Sequence, residues 1–427
     1  MEKLVEKVKA ALKKLGIEEY LINGSKRSCA ELYFIKKDLD MRRMVEEAEL
    51  SVSVYRVEEK DGEKKRGAAL ATILPEMDEE RIEKELSDAY FATQFAMNKY
   101  YDLVEGKKEE VKTADTKLAG MELADIALSF AKAVYASDTD KESFINTTEI
   151  FAARTEKIII NSAGVDVSYT ENAVRGEFVV QCKEPEDVEL YYSFDYTDLD
   201  TEALTKKAAK ALETVKARAA AKTAPKTGKY DIILDGPQVS DLIEAYKTLS
   251  DSAYIYLGYS DYKKGDNLQG EDVKGDKLTV TLKPVAPYSG EGIKLEETDY
   301  LKEGKLLNIL GGKRYADYLG IKPTGSGFLK YVASGKKTEE ELKEKPYLYA
   351  VKFSDFQLDP FTGFFGGELR LAYLFDGEKV IPVTGGSISG NLFEAQKNFE
   401  FSKERYKDKW SDCPALVRIP NVDVAGC

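Results

Sequence analysis

Between Thr223 and Gly228 the chain reads Thr-Ala-Pro-Lys-Thr-Gly, and its texture changes across that stretch. Pro and Gly so close together interrupt helix and strand alike, so a linker belongs here. Upstream, Asp200 to about Lys222 is a long Ala/Lys/Glu run of helical composition. Downstream the sequence is richer in Gly, Tyr and Phe and breaks into many short strand-like runs. A chain of 427 residues is too long for one ordinary core. The break therefore predicts an N-terminal α+β region over 1–222, divisible into 1–110 and 111–222, and a C-terminal β-rich domain over 223–427.

Local patterns give the elements. Leu4, Val5, Val8, Ala11, Leu12 and Leu15 recur at helical spacing, and Gly16 stands where a helix C-cap belongs. Two short strands are expected near Glu19–Asn23 and Cys29–Lys36. Glu49–Arg56 alternates with period two, Asp61-Gly62 is a hairpin signal, and Gly67–Leu74 is the return strand. Asp78 caps a helix expected to run to about Tyr100, and another covers Met121–Tyr135. Strand composition returns at Thr155–Asn161, Val165–Thr170, Gly176–Cys182 and Val188–Phe194. In the second half it marks Tyr230–Leu234, Leu278–Leu282, Tyr347–Phe356, Gly367–Phe375, Lys379–Val383 and Ala415–Ile419, with one clear helix after Gly236-Pro237. The fold class is α+β: an N-terminal mixed α/β part with an antiparallel meander and helices, then a mostly antiparallel sheet or barrel-like domain.

The chemistry is bounded by an absence, since the 427 residues contain no histidine. Ser-His-Asp triads, Cys-His pairs and histidine-bearing zinc helices are excluded. Carboxylates, lysines, thiolates and all-oxygen metal sites remain. Glu296-Glu297, Asp355 with Asp359, and Asp198 with Asp200 lack the register of a calcium loop, and with 76 acidic residues chance clusters are expected. Gly311-Gly312-Lys313 falls short of a phosphate loop and reads as a turn. Cys29, Cys182, Cys413 and Cys427 are far apart, which fits free thiols in a reducing compartment. The charged start Met1-Glu2-Lys3 and the lack of a long apolar run lead to the expectation of a cytoplasmic chain without a membrane segment. A net charge of −13 disfavours direct nucleic-acid contact. Tyr254, Tyr256, Tyr259 and Tyr262, with Phe361, Phe364 and Phe365, suit a peptide groove, a core or a dimer surface.

Several segments in order carry a resemblance. They are Ile159-Ile-Asn-Ser-Ala-Gly164, Gly228-Lys-Tyr-Asp-Ile-Ile-Leu-Asp235, Leu319-Gly-Ile-Lys-Pro-Thr-Gly325, Gly366-Gly-Glu-Leu-Arg-Leu-Ala-Tyr373, Val380 through Leu392, and Ala415 through Gly426. Together they resemble the TldD/PmbA family, some of whose members are described as modulators of DNA gyrase. The resemblance implies a peptidase system in which a zinc-bearing subunit, TldD, pairs with a companion, TldE or PmbA, that lacks the zinc motif, and trims unfolded peptides. In the zinc-bearing type an HExxxH motif lies on the helix after the domain-opening strand. The matching stretch here is Ile243-Glu244-Ala245-Tyr246-Lys247-Thr248, which keeps Glu244 and has Ile243 and Thr248 at the histidine positions. No catalytic residue, metal or cofactor is therefore expected. The partner is a zinc-bearing TldD-like subunit or a second copy, and the substrate an unfolded peptide. Gly385, Gly386, Ser387 and Gly390 would let a peptide backbone approach closely, or would simply kink a barrel strand. Two other readings stay open: a hydrolase using a carboxylate or Cys413, and a regulatory binding protein.

Overall fold

A computed structural model describes residues 1–111 and 115–426; Cys427 lies outside the described residues. The first part is a helix-backed sheet. Its elements are α1 (Glu2–Lys14), β1 (Glu19–Ile35), β2 (Asp38–Lys60), β3 (Glu63–Ile73), α2 (Glu79–Ala92), β4 (Met97–Lys99), β5 (Lys108–Glu110), α3 (Leu123–Tyr135), β6 (Ser143–Asn161), β7 (Asp166–Cys182), β8 (Val188–Tyr196) and α4 (Thr201–Ala220). The strands form one sheet in the order β4-β3-β2-β1-β6-β7-β5, with β8 also on β7. All pairs are antiparallel except β5 with β7.

The central strands are long because two helical pairs cover one face of the sheet end to end. Ile22 and Ile160 pack with α1 and α2, while Ala30, Leu32, Ile150 and Ala152 pack with α3 and α4. The two strands expected at Glu19–Asn23 and Cys29–Lys36 are thus one, β1. Its polar middle, Ser25–Ser28, falls where neither pair covers it and is held by β2 and β6 on both edges. Likewise Val165–Thr170 and Gly176–Cys182 belong to one strand, β7. The helix from Asp78 is capped as expected, with the Arg81 amide donating to the Asp78 carboxylate at 2.8 Å. It stops at Ala92 rather than near Tyr100. Gly67 on β3 has no Cβ, which lets the chain turn back there: a Cβ would sit 2.1 Å from the Thr93 carbonyl. Met97 then pairs with Gly67.

The second part contains β9 (Gly228–Asp235), α5 (Gly236–Leu249), α6 (Ser252–Tyr256), β10 (Val280–Pro284), β11 (Thr298–Lys302), β12 (Lys305–Leu306), α7 (Lys313–Leu319), β13 (Phe328–Val332), α8 (Glu339–Leu342), β14 (Tyr347–Leu358), β15 (Phe364–Phe375), β16 (Val380–Val383), β17 (Ser387–Asn391), α9 (Leu392–Ala395), β18 (Glu400–Phe401), β19 (Arg405–Lys407), β20 (Ser411–Pro414) and β21 (Leu416–Ala425). One sheet runs β12-β11-β10-β13-β20-β19. The other runs β14-β9-β21-β17-β15-β16, and β14 also pairs with β15, so it curls into a partial barrel. The inner face of α5 shares one apolar core with both sheets.

At the junction, Lys207 of α4 and Lys352 of β14 donate to the Ser193 and Tyr191 carbonyls on the edge of β8, each at 2.6 Å. Burial lowers the Lys352 ammonium to about 8, and Lys207 and Arg370 push the same way. In the unfolded chain the group titrates near 10.5. Below about pH 8 both states hold the proton; between there and about 10.5 the unfolded state holds more, so folding gains stability as pH rises. Wild type should therefore gain on Lys352→Met from pH 8 to 10 in urea unfolding. Parallel curves would show that the ammonium is not desolvated.

Candidate functional site

Helix α5 follows β9 directly, with Pro237 in its first turn, where the missing N–H costs nothing. Val239, Leu242, Ile243, Ala245, Tyr246 and Leu249 face the core; Ser240, Asp241, Glu244, Lys247 and Thr248 line the outer side. The three positions matched to the zinc motif by resemblance, 243, 244 and 248, part company here. Ile243 is fully buried in apolar surroundings. The Thr248 hydroxyl donates back to the Glu244 carbonyl at 3.2 Å. The Glu244 carboxylate accepts from Lys247 Nζ at 2.8 and 3.1 Å and from Lys330 Nζ at 2.7 Å.

Lys330 is the residue that sequence reasoning missed. It comes from β13, where Phe328, Lys330 and Val332 are all buried. Its side chain is 7% exposed, and it also donates to the Ser240 carbonyl at 3.3 Å. A lysine at an inward position of an alternating strand was the available signal. Burial works to raise the Glu244 carboxyl, but Lys247 and Lys330 outweigh it and hold it below the ordinary value. Asp241, one turn earlier, goes the other way. It is open to solvent yet recessed, and desolvation raises its carboxyl with Lys330 opposing. Nearby, Ser240 and Ser411 share a hydroxyl hydrogen bond of 2.5 Å.

Gly385 and Gly386 lie in the turn between β16 and β17, and Ser387 and Gly390 lie in β17. Gly385 and Gly386 have φ of +86° and +75°, and the Leu369 amide donates to the Gly386 carbonyl at 2.9 Å. Ser387 pairs with Glu368 on one edge of β17 and Ala425 on the other. A Cβ on Gly386 would sit 2.4 Å from the Ala425 carbonyl, and one on Gly390 2.4 Å from the Phe365 ring. The close approaches at Gly386 and Gly390 are taken by the chain's own strands, while at Gly385 the atom nearest a Cβ is the Ala224 Cβ, at 3.8 Å.

Cys413 is fully buried, and burial, with Asp408 adding, pushes its thiol up to about 12, which is inert for nucleophilic work. Lys313 is paired with Asp317 at 2.6 Å, and Gly311 makes the turn before α7. Among the described residues no group of three or more Cys, Asp or Glu side chains is arranged to hold a metal ion. The structure does unite distant aromatics. Tyr254 and Tyr259 lie 5.2 and 5.6 Å from Phe361, centroid to centroid, and all three are exposed.

The family profile of the PmbA/TldA metallopeptidase C-terminal domain matches residues 227–426, and that of the central domain matches 110–223. The chain belongs to the PmbA/TldD family. A "Metalloprotease" of Methanothermobacter thermautotrophicus is 27% identical over 196 residues, 41% of this chain and 43% of that protein. An uncharacterized protein of Methanocaldococcus jannaschii is 25% identical over 147 residues, 30% of this chain and 35% of that one. The matched stretches thus span less than half of these relatives. A crystal structure of TldE from Thermococcus kodakarensis superimposes with a TM-score of 0.78 at 16% identity, covering 100% of both chains. One of a candidate modulator of a DNA gyrase from Thermotoga maritima gives 0.78 at 18% identity, over 99% of this chain and 100% of that one. At these identities the likeness is one of fold.

For a PmbA/TldD-family chain the decisive test is whether α5 suits zinc, and its donors do not fit. Zinc asks for imidazole, thiolate or free carboxylate. Ile243 offers carbon, the Thr248 hydroxyl is spent on the helix backbone, and two ammonium groups occupy Glu244. Among the described residues no helix is long and apolar enough to cross a membrane.

Proposed function

We propose that this chain is the TldE-like, non-catalytic member of a TldD/TldE-type metallopeptidase system acting on unfolded peptides, and that its partner is a zinc-bearing TldD-like subunit. The observation that carries this reading is Lys330. Its buried ammonium lies against the one retained motif residue, so a cation already sits at Glu244. The absence of histidine from the sequence supports the same reading. The exposed Tyr254, Tyr259 and Phe361 offer an apolar, sequence-tolerant surface on which an unfolded peptide could rest. The division at Thr223 belongs to the proposal, with the second domain carrying the subunit contact.

One observation favours a second reading, a hydrolase without histidine. Asp241 and Glu244 are three residues apart on one helix, with their carboxyls shifted in opposite directions, the pattern of an acid–base pair. The two readings separate in one experiment. Zinc content and peptide hydrolysis are measured on the purified chain alone and with the zinc-bearing family member from the same organism. Hydrolysis confined to the mixture, unchanged by Asp241→Asn, is expected. Hydrolysis by the chain alone, lost in Asp241→Asn, would establish the second reading instead.

A further inference from the structure

Lys207 and Lys352 both reach the open edge of β8, which among the described residues pairs with β7 alone. Their acceptors, the Ser193 and Tyr191 carbonyls, are two residues apart on one strand, which spaces them by roughly 6.6–6.8 Å. Among the described residues neither ammonium has another hydrogen bond or an ion pair. Arg370 joins them. In the register of β14 with β15, Lys352 stands opposite Leu371 and Phe353 opposite Leu369, so Arg370 is the extra residue of a bulge beside Lys352. Its carbonyl accepts from Thr384, but among the described residues its guanidinium has no partner.

Three cations without a carboxylate stand out in a chain of net charge −13. The acids around them are occupied. Asp408, which faces Lys207, accepts from the Tyr406 hydroxyl and from the Trp410 and Ser411 amides. Glu186, which faces Arg370, is held by Arg218 at 3.0 and 3.1 Å. Asp235, near Tyr192, is held by Tyr349 and Lys210. The Tyr192 ring closes one side of the Lys352 amine, with its centroid 4.0 Å away. Tyr191 is 50% exposed, so solvent reaches the amine along the strand edge.

A desolvated lysine beside other cations is a nucleophile, because the neighbours favour the neutral amine. We propose that Lys352 takes an acyl group from a small acyl phosphate, with Lys207 and Arg370 holding the phosphate. The Nζ lone pair forms the amide bond to the acyl carbon. The bond from that carbon to the phosphate oxygen breaks, its electron pair leaves with the phosphate, and Nζ gives one proton to water. No oxidant or reductant is needed. The amide keeps an N–H for the Tyr191 carbonyl and removes a charge that burial and two cations oppose. With its amine lowered to about 8, Lys352 is neutral in about half of the molecules at pH 8, against well under 1% for an ordinary lysine. The site uses no residue of α5 and does not depend on the subunit role proposed above.

The test treats the full chain at pH 8 with acetyl phosphate and, in parallel, with the uncharged ester phenyl acetate. Acetylated lysines are ranked over time by peptide mass spectrometry. Lys352 should lead with both reagents, by about tenfold over the median lysine. The lead should be larger with acetyl phosphate. Arg370→Gln should slow acetyl phosphate at Lys352 severalfold more than phenyl acetate, since only the first brings a phosphate to hold. A Lys352 no faster than the median lysine would overturn the proposal. So would a lead of equal size with the two reagents, or one that Arg370→Gln lowers equally in both. The ranking compares lysines within the wild-type chain, so it stands even where the variant fails to fold.

Discussion

Replacing Asp231 with alanine is expected to destabilise the C-terminal half by about 3–5 kcal/mol, more than replacing the arginine it pairs with. Arg418 lies on β21 at 5% exposure. Its guanidinium donates to the Asp231 carboxylate at 2.7 and 3.2 Å, to the Leu342 carbonyl at 2.6 Å and to the Pro346 carbonyl at 2.8 Å. These bonds fasten the segment between α8 and β14 to the barrel. Asp231 sits nearer the surface, with 36% of its side chain exposed. Without Asp231 a desolvated cation is left with neutral acceptors only. With Arg418→Leu the carboxylate can rehydrate, and the loss is that of carbonyls deprived of donors, about 1–3 kcal/mol. The combined Asp231→Ala and Arg418→Leu variant should therefore be more stable than Asp231→Ala alone. Urea unfolding followed by the chain's single tryptophan, Trp410, reads this out. Equal costs for the two single variants would mean that the guanidinium is not desolvated.

Pattern legibility in this chain follows what touches each residue. α1, α3 and α5 could be read because each shows one apolar face to one core. The hairpin at Asp61-Gly62 was legible because both residues take positive φ, a backbone demand visible in residue type. β1 reads as two strands because period two fails at Ser25–Ser28, where no helix covers a strand that β2 and β6 flank on both edges. The overrun of α2 has another origin: its end is set by Gly67, a residue of a different element. The motif positions on α5 could be numbered from the sequence, but not what surrounds them. Lys330 reaches Glu244 from a strand 86 positions away. The Asp241 shift depends on desolvation that only the assembled fold supplies.

Placing histidines at positions 243 and 248 is expected to fail as a route to zinc, at a cost of about 3 kcal/mol. Ile243 is fully buried, so Ile243→His removes apolar packing and brings two ring nitrogens into a core that offers them no partner. Thr248→His, at a half-buried outer position, should cost little. With position 243 in the core and position 248 on the outer side, the two do not face one site in this packing. Lys330 adds a second obstacle, since its ammonium repels a divalent cation at Glu244. The doubly substituted chain, dialysed against zinc and then buffer, should carry well under one equivalent, and its Trp410-monitored midpoint should fall. Adding Lys330→Met removes the repulsion but leaves position 243 inside the core, so zinc should stay substoichiometric. One tightly held zinc per chain, with the midpoint intact, would mean that α5 can turn Ile243 out of the core. The placement of Glu244 against Lys330 would then be one of two states of the helix, and the non-catalytic reading would lose its main support.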